Sequence, residues 1–118
     1  MSMELGEIQE KVEAVSRIYA KNCDVRRDDD WYFLKMQEET GELLQAWLRL
    51  TGRGRLKGDT EAQIRQYLED ELADCLAQVL LIAERFDIDV EKATERKWFK
   101  YLPENKNTGH ADAGNADE

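Results

Sequence analysis

Histidine is almost missing from this chain. His110 is the only one among 118 residues, and it falls in a C-terminal stretch rich in glycine, asparagine and aspartate. That scarcity excludes a Ser-His-Asp triad, a histidine-ligated zinc site and a Glu-x-x-His di-iron site, each of which needs an imidazole. Proline is absent before Pro103, and no alternating β-branched run occurs, so nothing breaks a helix early and nothing argues for a sheet. Cysteines number two, Cys23 and Cys75, with no Cys-x-x-Cys spacing. They make no disulfide framework, as in a reducing compartment, and Cys75, set among apolar residues, reads as a small core side chain. No stretch of about 18 apolar residues exists, and the N-terminus lacks the basic and apolar regions of a leader, so the expectation is a soluble, cytoplasmic protein with no membrane partner. Basic charge is also short. A net charge of −9 and a pI near 4.7 leave no surplus to displace counterions from a nucleic-acid polymer.

The length fits one domain with a single core. The segment from Pro103 to Glu118 carries four acids and one lysine, and the rest of the chain keeps about −6 without it. Residues 1–102 are therefore expected to form a helical domain and 103–118 a disordered polar tail. Leu5, Ile8, Val12, Val15 and Tyr19 follow a 3-4 spacing that predicts a first helix from about Met3 to Asn22. Asp28, Asp29 and Asp30 offer an N-cap and dipole-favourable acids for a second, about Trp31 to Leu50, with Leu34, Leu44, Trp47 and Leu48 as its apolar face. The glycines of Thr51–Gly58 make a loop, and Arg53, Arg55 and Lys57 in it read as solvated cations ahead of a loop that closes on phosphates. Thr60 and Gln63 resemble a capping box that opens a third helix reaching about Phe86. Its second half, Leu76 to Ala83, is apolar almost all round and calls for burial at the centre of a bundle or against a second subunit. Asp89 caps a fourth helix, about Val90 to Leu102. The fold class is all-α, a four-helix bundle. A chain this small with so apolar a third helix is expected to be a homo-oligomer, a dimer ahead of a tetramer.

Two acidic clusters dominate what is present: Glu38-Glu39-Thr40-Gly41-Glu42 and, after 28 intervening residues, Glu71-Leu72-Ala73-Asp74. Successive helical residues advance about 100°, so Glu38, Glu39 and Glu42 share one face, as do Glu71 and Asp74. A short loop between helices two and three makes them antiparallel and brings the clusters to similar depth. Carboxylates gathered there repel unless a cation joins them, and an all-oxygen ligand set suits Mg²⁺, with Mn²⁺ as substitute. Spacing alone leaves the frame open: Glu38 or Glu39 can pair with Glu42, and Asp70 competes with Glu71. Trp31, Trp47 and Trp98, with Tyr32 and Tyr67, read as core or interface rings ahead of base-stacking ones. Lys35, one turn before Glu39, reads as its salt-bridge partner ahead of a phosphate contact.

Glu-Glu-x-x-Glu, the 28-residue gap and Glu-x-x-Asp together resemble the metal motif of the all-α nucleoside triphosphate pyrophosphohydrolases, and more closely the MazG-like branch. The flanks agree: Lys35-Met-Gln-Glu-Glu-Thr-Gly-Glu-Leu before the loop, and Glu69-Asp-Glu-Leu-Ala-Asp-Cys-Leu after it. The resemblance covers roughly residues 30 to 102. It implies that Glu39, Glu42, Glu71 and Asp74 ligate Mg²⁺, and that Glu38 touches a further metal or orients the attacking water. It also implies hydrolysis of a nucleoside triphosphate to monophosphate and pyrophosphate, in a house-cleaning role. Lys97 and Lys100 are its expected phosphate contacts. Many MazG-like chains place Asn four positions after that lysine; here the residue is Tyr101. A phosphoribosyl-ATP pyrophosphohydrolase shares the motif, and a non-catalytic acidic interaction module is the competing class. The long gap with its Arg/Gly loop looks more like the MazG-like branch.

Overall fold

The structure is a computed structural model, which describes residues 2–104. Its helices are α1 (Leu5–Asn22), α2 (Asp29–Leu50), α3 (Glu61–Arg85) and α4 (Val90–Trp98), and no strand occurs among the described residues. The all-α expectation of four helices holds. Residues 105–118, most of the expected disordered tail, lie outside the described residues.

Helix boundaries follow local side-chain chemistry. Asp28 accepts the Trp31 N–H at 2.9 Å and starts α2 two residues ahead of the expected position. The Thr60 hydroxyl accepts the Gln63 N–H at 3.1 Å while the Gln63 side chain accepts the Thr60 N–H at 2.8 Å, which is the reciprocal box read from sequence. Asp89 accepts the Lys92 N–H at 3.0 Å at the head of α4. Glu4 and Glu7 form an unforeseen box, so α1 begins at Leu5. α4 ends a turn earlier than expected. Leu102, held extended before Pro103, cannot stay helical, and the chain tightens into a 3-10 turn over Phe99–Tyr101.

The chain divides into two compact units between Phe86 and Asp87. In the first, α2 and α3 form an antiparallel pair with α1 packed chiefly on α3. Two polar ties set the register of the pair: the Gln78 amide donates to the Tyr32 carbonyl at 3.0 Å, and Arg85 reaches Asp29 at 2.7 Å. Arg27 forks onto Glu13 at 3.0 and 3.1 Å and donates to the buried Ser16 hydroxyl, fastening α1 to the segment that follows it. Tyr32, Ala46, Ile64, Cys75, Leu80, Leu81 and Ala83 make the buried apolar core, so Cys75 sits where the sequence placed it.

The buried side of α2 is not the one its largest apolar residues mark. Tyr32, Glu39 and Ala46, spaced by sevens, face inward, whereas Leu34 (70% exposed), Leu44 and Trp47 face outward. Pairing with α3 decides this. Gln78 docks on the Tyr32 carbonyl, and the turns that follow on that line carry Glu39 and Ala46 into the helix–helix seam. On α1, Val15 and Tyr19 of the expected apolar stripe are exposed as well.

Candidate metal centre

The register of the α2–α3 pair places the two acidic clusters opposite one another. Seven residues on from Tyr32 is Glu39, and seven back from Gln78 is Glu71. One carboxylate oxygen from each of Glu39, Glu42 and Glu71 lies within 4.8 Å of the others. Asp74, one turn beyond Glu71, stands outside that group but close enough for its charge to act on Glu39 and Glu71. Asp70 is not among the converging carboxylates, so the geometry favours Glu71 in the frame that spacing left open. Glu38 points to solvent and is drawn 3.1 Å from the Lys35 ammonium; it does not join the three gathered carboxylates.

Lys35 is paired into this acidic face, its ammonium 3.6 Å from Glu39 Oε2. Glu39 Oε1 and Glu71 Oε1 are buried with no hydrogen-bond partner. Glu39 is only 9% exposed. Burial pushes the carboxyls of Glu39, Glu71 and Asp74 above their ordinary range, and mutual repulsion among Glu39, Glu42, Glu71 and Asp74 adds to the shift. Cys75, beside the cluster, has its thiol pushed up by burial and then by the same carboxylates, so it remains a protonated core residue.

A folding chain leaves two buried carboxylate oxygens without partners only at a cost of about 1–3 kcal/mol each. A hard divalent cation would remove that cost. It takes oxygen ligands, and Glu39, Glu42 and Glu71 converge closely enough to share one. The orphaned oxygens, the donor set and the electrostatics all fit such an ion.

The other expected site residues lie in the second unit. Lys97 belongs to the last turn of α4, and Lys100 lies in the 3-10 turn with its ammonium 5.4 Å from the centre of the Tyr101 ring. Among the aromatic residues, Tyr32 is core, and Trp47, Trp98 and Tyr67 are exposed. Sequence reasoning missed how deeply Glu39 is set. Its heptad relation to Tyr32 and Ala46 was the available signal, hidden because a glutamate does not read as a buried position.

The family model described as MazG nucleotide pyrophosphohydrolase domain matches residues 1–106. The chain belongs to that family. This MazG domain is thus of the nucleotide pyrophosphohydrolase kind, and the match extends over α1, which the sequence motif alone did not cover. Among curated proteins and solved structures, no match to the chain was found.

Proposed function

We propose that this MazG domain hydrolyses a nucleoside triphosphate, ribo or deoxy, to the monophosphate and pyrophosphate, with Mg²⁺ held by Glu39, Glu42, Glu71 and Asp74. The pair of buried, partnerless oxygens on Glu39 and Glu71 carries this reading, because a surface-decoration role would leave carboxylates in water. When bound, Mg²⁺ supplies the positive charge that lets an acidic site accept a polyphosphate and lowers the pKa of a water beside it. Glu38, exposed and one position from Glu39, orients the attacking water and takes its proton. Water oxygen adds to phosphorus, the P–O–P link breaks, and pyrophosphate leaves with the electron pair. Lys35 holds Glu38 and Glu39 in place through its two ion pairs. The activity clears non-standard or excess nucleotides, in a cytoplasm that suits two free cysteines.

The test is a pyrophosphate-release screen over standard and modified NTPs and dNTPs, run with Mg²⁺ and again with Mn²⁺. Stoichiometric monophosphate and pyrophosphate from at least one substrate is expected. Silence across the panel with both metals would leave an acidic interaction module as the better description.

The working unit is a homodimer in this reading. Leu72, Leu76 and Val79 fall at i, i+4 and i+7 on α3 and are all exposed, with Leu44 and Trp47 exposed on α2. Spacing of this kind is a helix-packing seam, and a second copy is the occupant that an intact seam of one small chain fits. Leu76→Glu, at a position already 47% exposed, should leave helicity unchanged and shift the protein to monomer in sedimentation equilibrium. A Leu76→Glu protein that sediments like the parent would remove this seam from the interface.

A further inference from the structure

The carboxylate cage lies between two openings of opposite chemistry, both within the first unit. On α2, Trp31, Lys35, Glu39, Glu42, Gln45 and Arg49 fall within one arc of about 120°. Toward the start of α2, Lys35, four residues before Glu39, and Gln78, four after Asp74, line a groove of about 530 Å³. Val15 and Tyr19 of α1 and Trp31 of α2 are among its walls, and nearly all of its surface is carbon. Toward the end of α2, Gln45, three residues past Glu42, lines a pocket of about 290 Å³ together with Arg49, Gly54, Arg55 and Lys57.

The loop pocket is built rather than incidental. Arg49 donates to the Arg55 carbonyl at 2.8 Å and the Leu56 carbonyl at 3.0 Å, pairs with Asp59, and lies over the Tyr67 ring. Gly54 rests on α2 so closely that an added Cβ would come 3.0 Å from the Arg49 side chain and 3.1 Å from its backbone nitrogen. Gly52 and Gly58, at φ 79° and 78°, supply the left-handed turns that close the loop. That framework leaves Arg49 fully used and the side chains of Arg55 and Lys57 with no hydrogen-bond or ion-pair partner among the described residues. Both are exposed and border the pocket, so their charge is open to an anionic ligand on a chain whose net charge is −9.

We propose that the nucleotide lies along this stripe of α2, its base in the carbon-lined groove and its terminal phosphate at Arg55 and Lys57. The proposal rests on the pyrophosphohydrolase reading and adds a direction to it. About 6 Å of helix separates Lys35 from Glu39 and about 4.5 Å separates Glu42 from Gln45, so groove, cage and pocket follow one another at the scale of a nucleotide's own parts. An uncharged aromatic base gains from apolar walls and from the Trp31 and Tyr19 rings. Three linked phosphates gain nothing there, and the opposite orientation would set their charge against carbon and the base against two cations. Lys35, at the boundary, stands where the uncharged part of the nucleotide meets its first phosphate.

Titration calorimetry with Mg²⁺ on the full chain tests this. The probes are an α,β-methylene triphosphate of each common base in turn, the matching monophosphates, and inorganic tripolyphosphate. Val15→Asp puts a charge in the groove at a position 66% exposed, so folding is not at stake. It should weaken the best-bound nucleotide analogue about tenfold or more and leave tripolyphosphate within about twofold. The double variant Arg55→Gln, Lys57→Gln should weaken the analogue and tripolyphosphate about tenfold and leave the monophosphate unchanged. The orientation is overturned if Val15→Asp harms tripolyphosphate as much as the analogue, or harms neither. It is equally overturned if the loop variant harms the monophosphate like the triphosphate, or harms neither. A parent protein that binds neither tripolyphosphate nor any analogue would reject the hydrolase reading itself, which sets that failure apart.

Discussion

Glu42→Ala and Asp74→Ala should each lower nucleotide turnover by more than about 100-fold while circular dichroism and the melting temperature without metal stay at or above those of the parent. Changing groups that merely support metal ligands costs roughly 10- to 100-fold, and a direct ligand should cost more. Stability should not suffer. Glu42 and Asp74 repel their neighbours in the metal-free fold, and repulsion from Glu42 raises both Glu71 and Asp74. Calorimetry should show the Mg²⁺ response weakened in both variants. Turnover within a few-fold of the parent in either one would withdraw that residue from the metal set, and in both would withdraw the set.

The second large effect is on the metal-free protein. Glu39→Gln should stabilise it by about 1–3 kcal/mol, the scale of relieving a buried unsatisfied acceptor, because a neutral amide removes one charge and can donate to the facing carboxylates. The same physics gives a pH dependence. Glu39, Glu71 and Asp74 all have carboxyls raised in the folded state, so the native protein holds protons that the unfolded chain releases. Their contribution is most favourable below the ordinary carboxylate range near pH 4, and is lost as pH rises through the raised folded values. Thermal melts from pH 4 to pH 8 without metal should therefore show this contribution declining, and Glu39→Gln should flatten the decline. Mg²⁺ should reverse it at neutral pH, by about 2.7 kcal/mol at a hundred times its dissociation constant. Melts that rise with pH in the absence of metal, or that ignore Mg²⁺, would contradict the account of a strained cage.

Helix limits were legible because they are local. Asp28, the Thr60/Gln63 box and Asp89 each satisfy backbone N–H groups within one turn of their own position, and the structure uses all three. Local chemistry also stopped α4, through Pro103, although the loss of its last turn to a 3-10 geometry needed the conformation of Leu102 to be seen. The buried side of α2 was not legible in this way. Leu34, Leu44 and Trp47 outweigh Tyr32, Glu39 and Ala46 in apolar area, yet they face outward. Which side packs depends on where α3 docks, and that depends on pairings such as Gln78 with Tyr32, 46 residues apart.

The candidate site divides along the same line. Carboxylate identity, their spacing by threes and fours, and the near-absence of histidine were enough to point to a hard cation and to the family, because ligand chemistry is carried by residue type. Depth was decided only by the fold. The antiparallel register sets Glu39 across from Glu71 and buries one oxygen of each without a partner, while Glu38, one position away, stays in solvent with Lys35. A single residue's shift along a helix turns a side chain by about 100°, and neighbours in sequence then meet opposite surroundings. Residue type thus marked which groups could hold a metal, and the packing of α2 on α3 settled which of them are gathered and buried together.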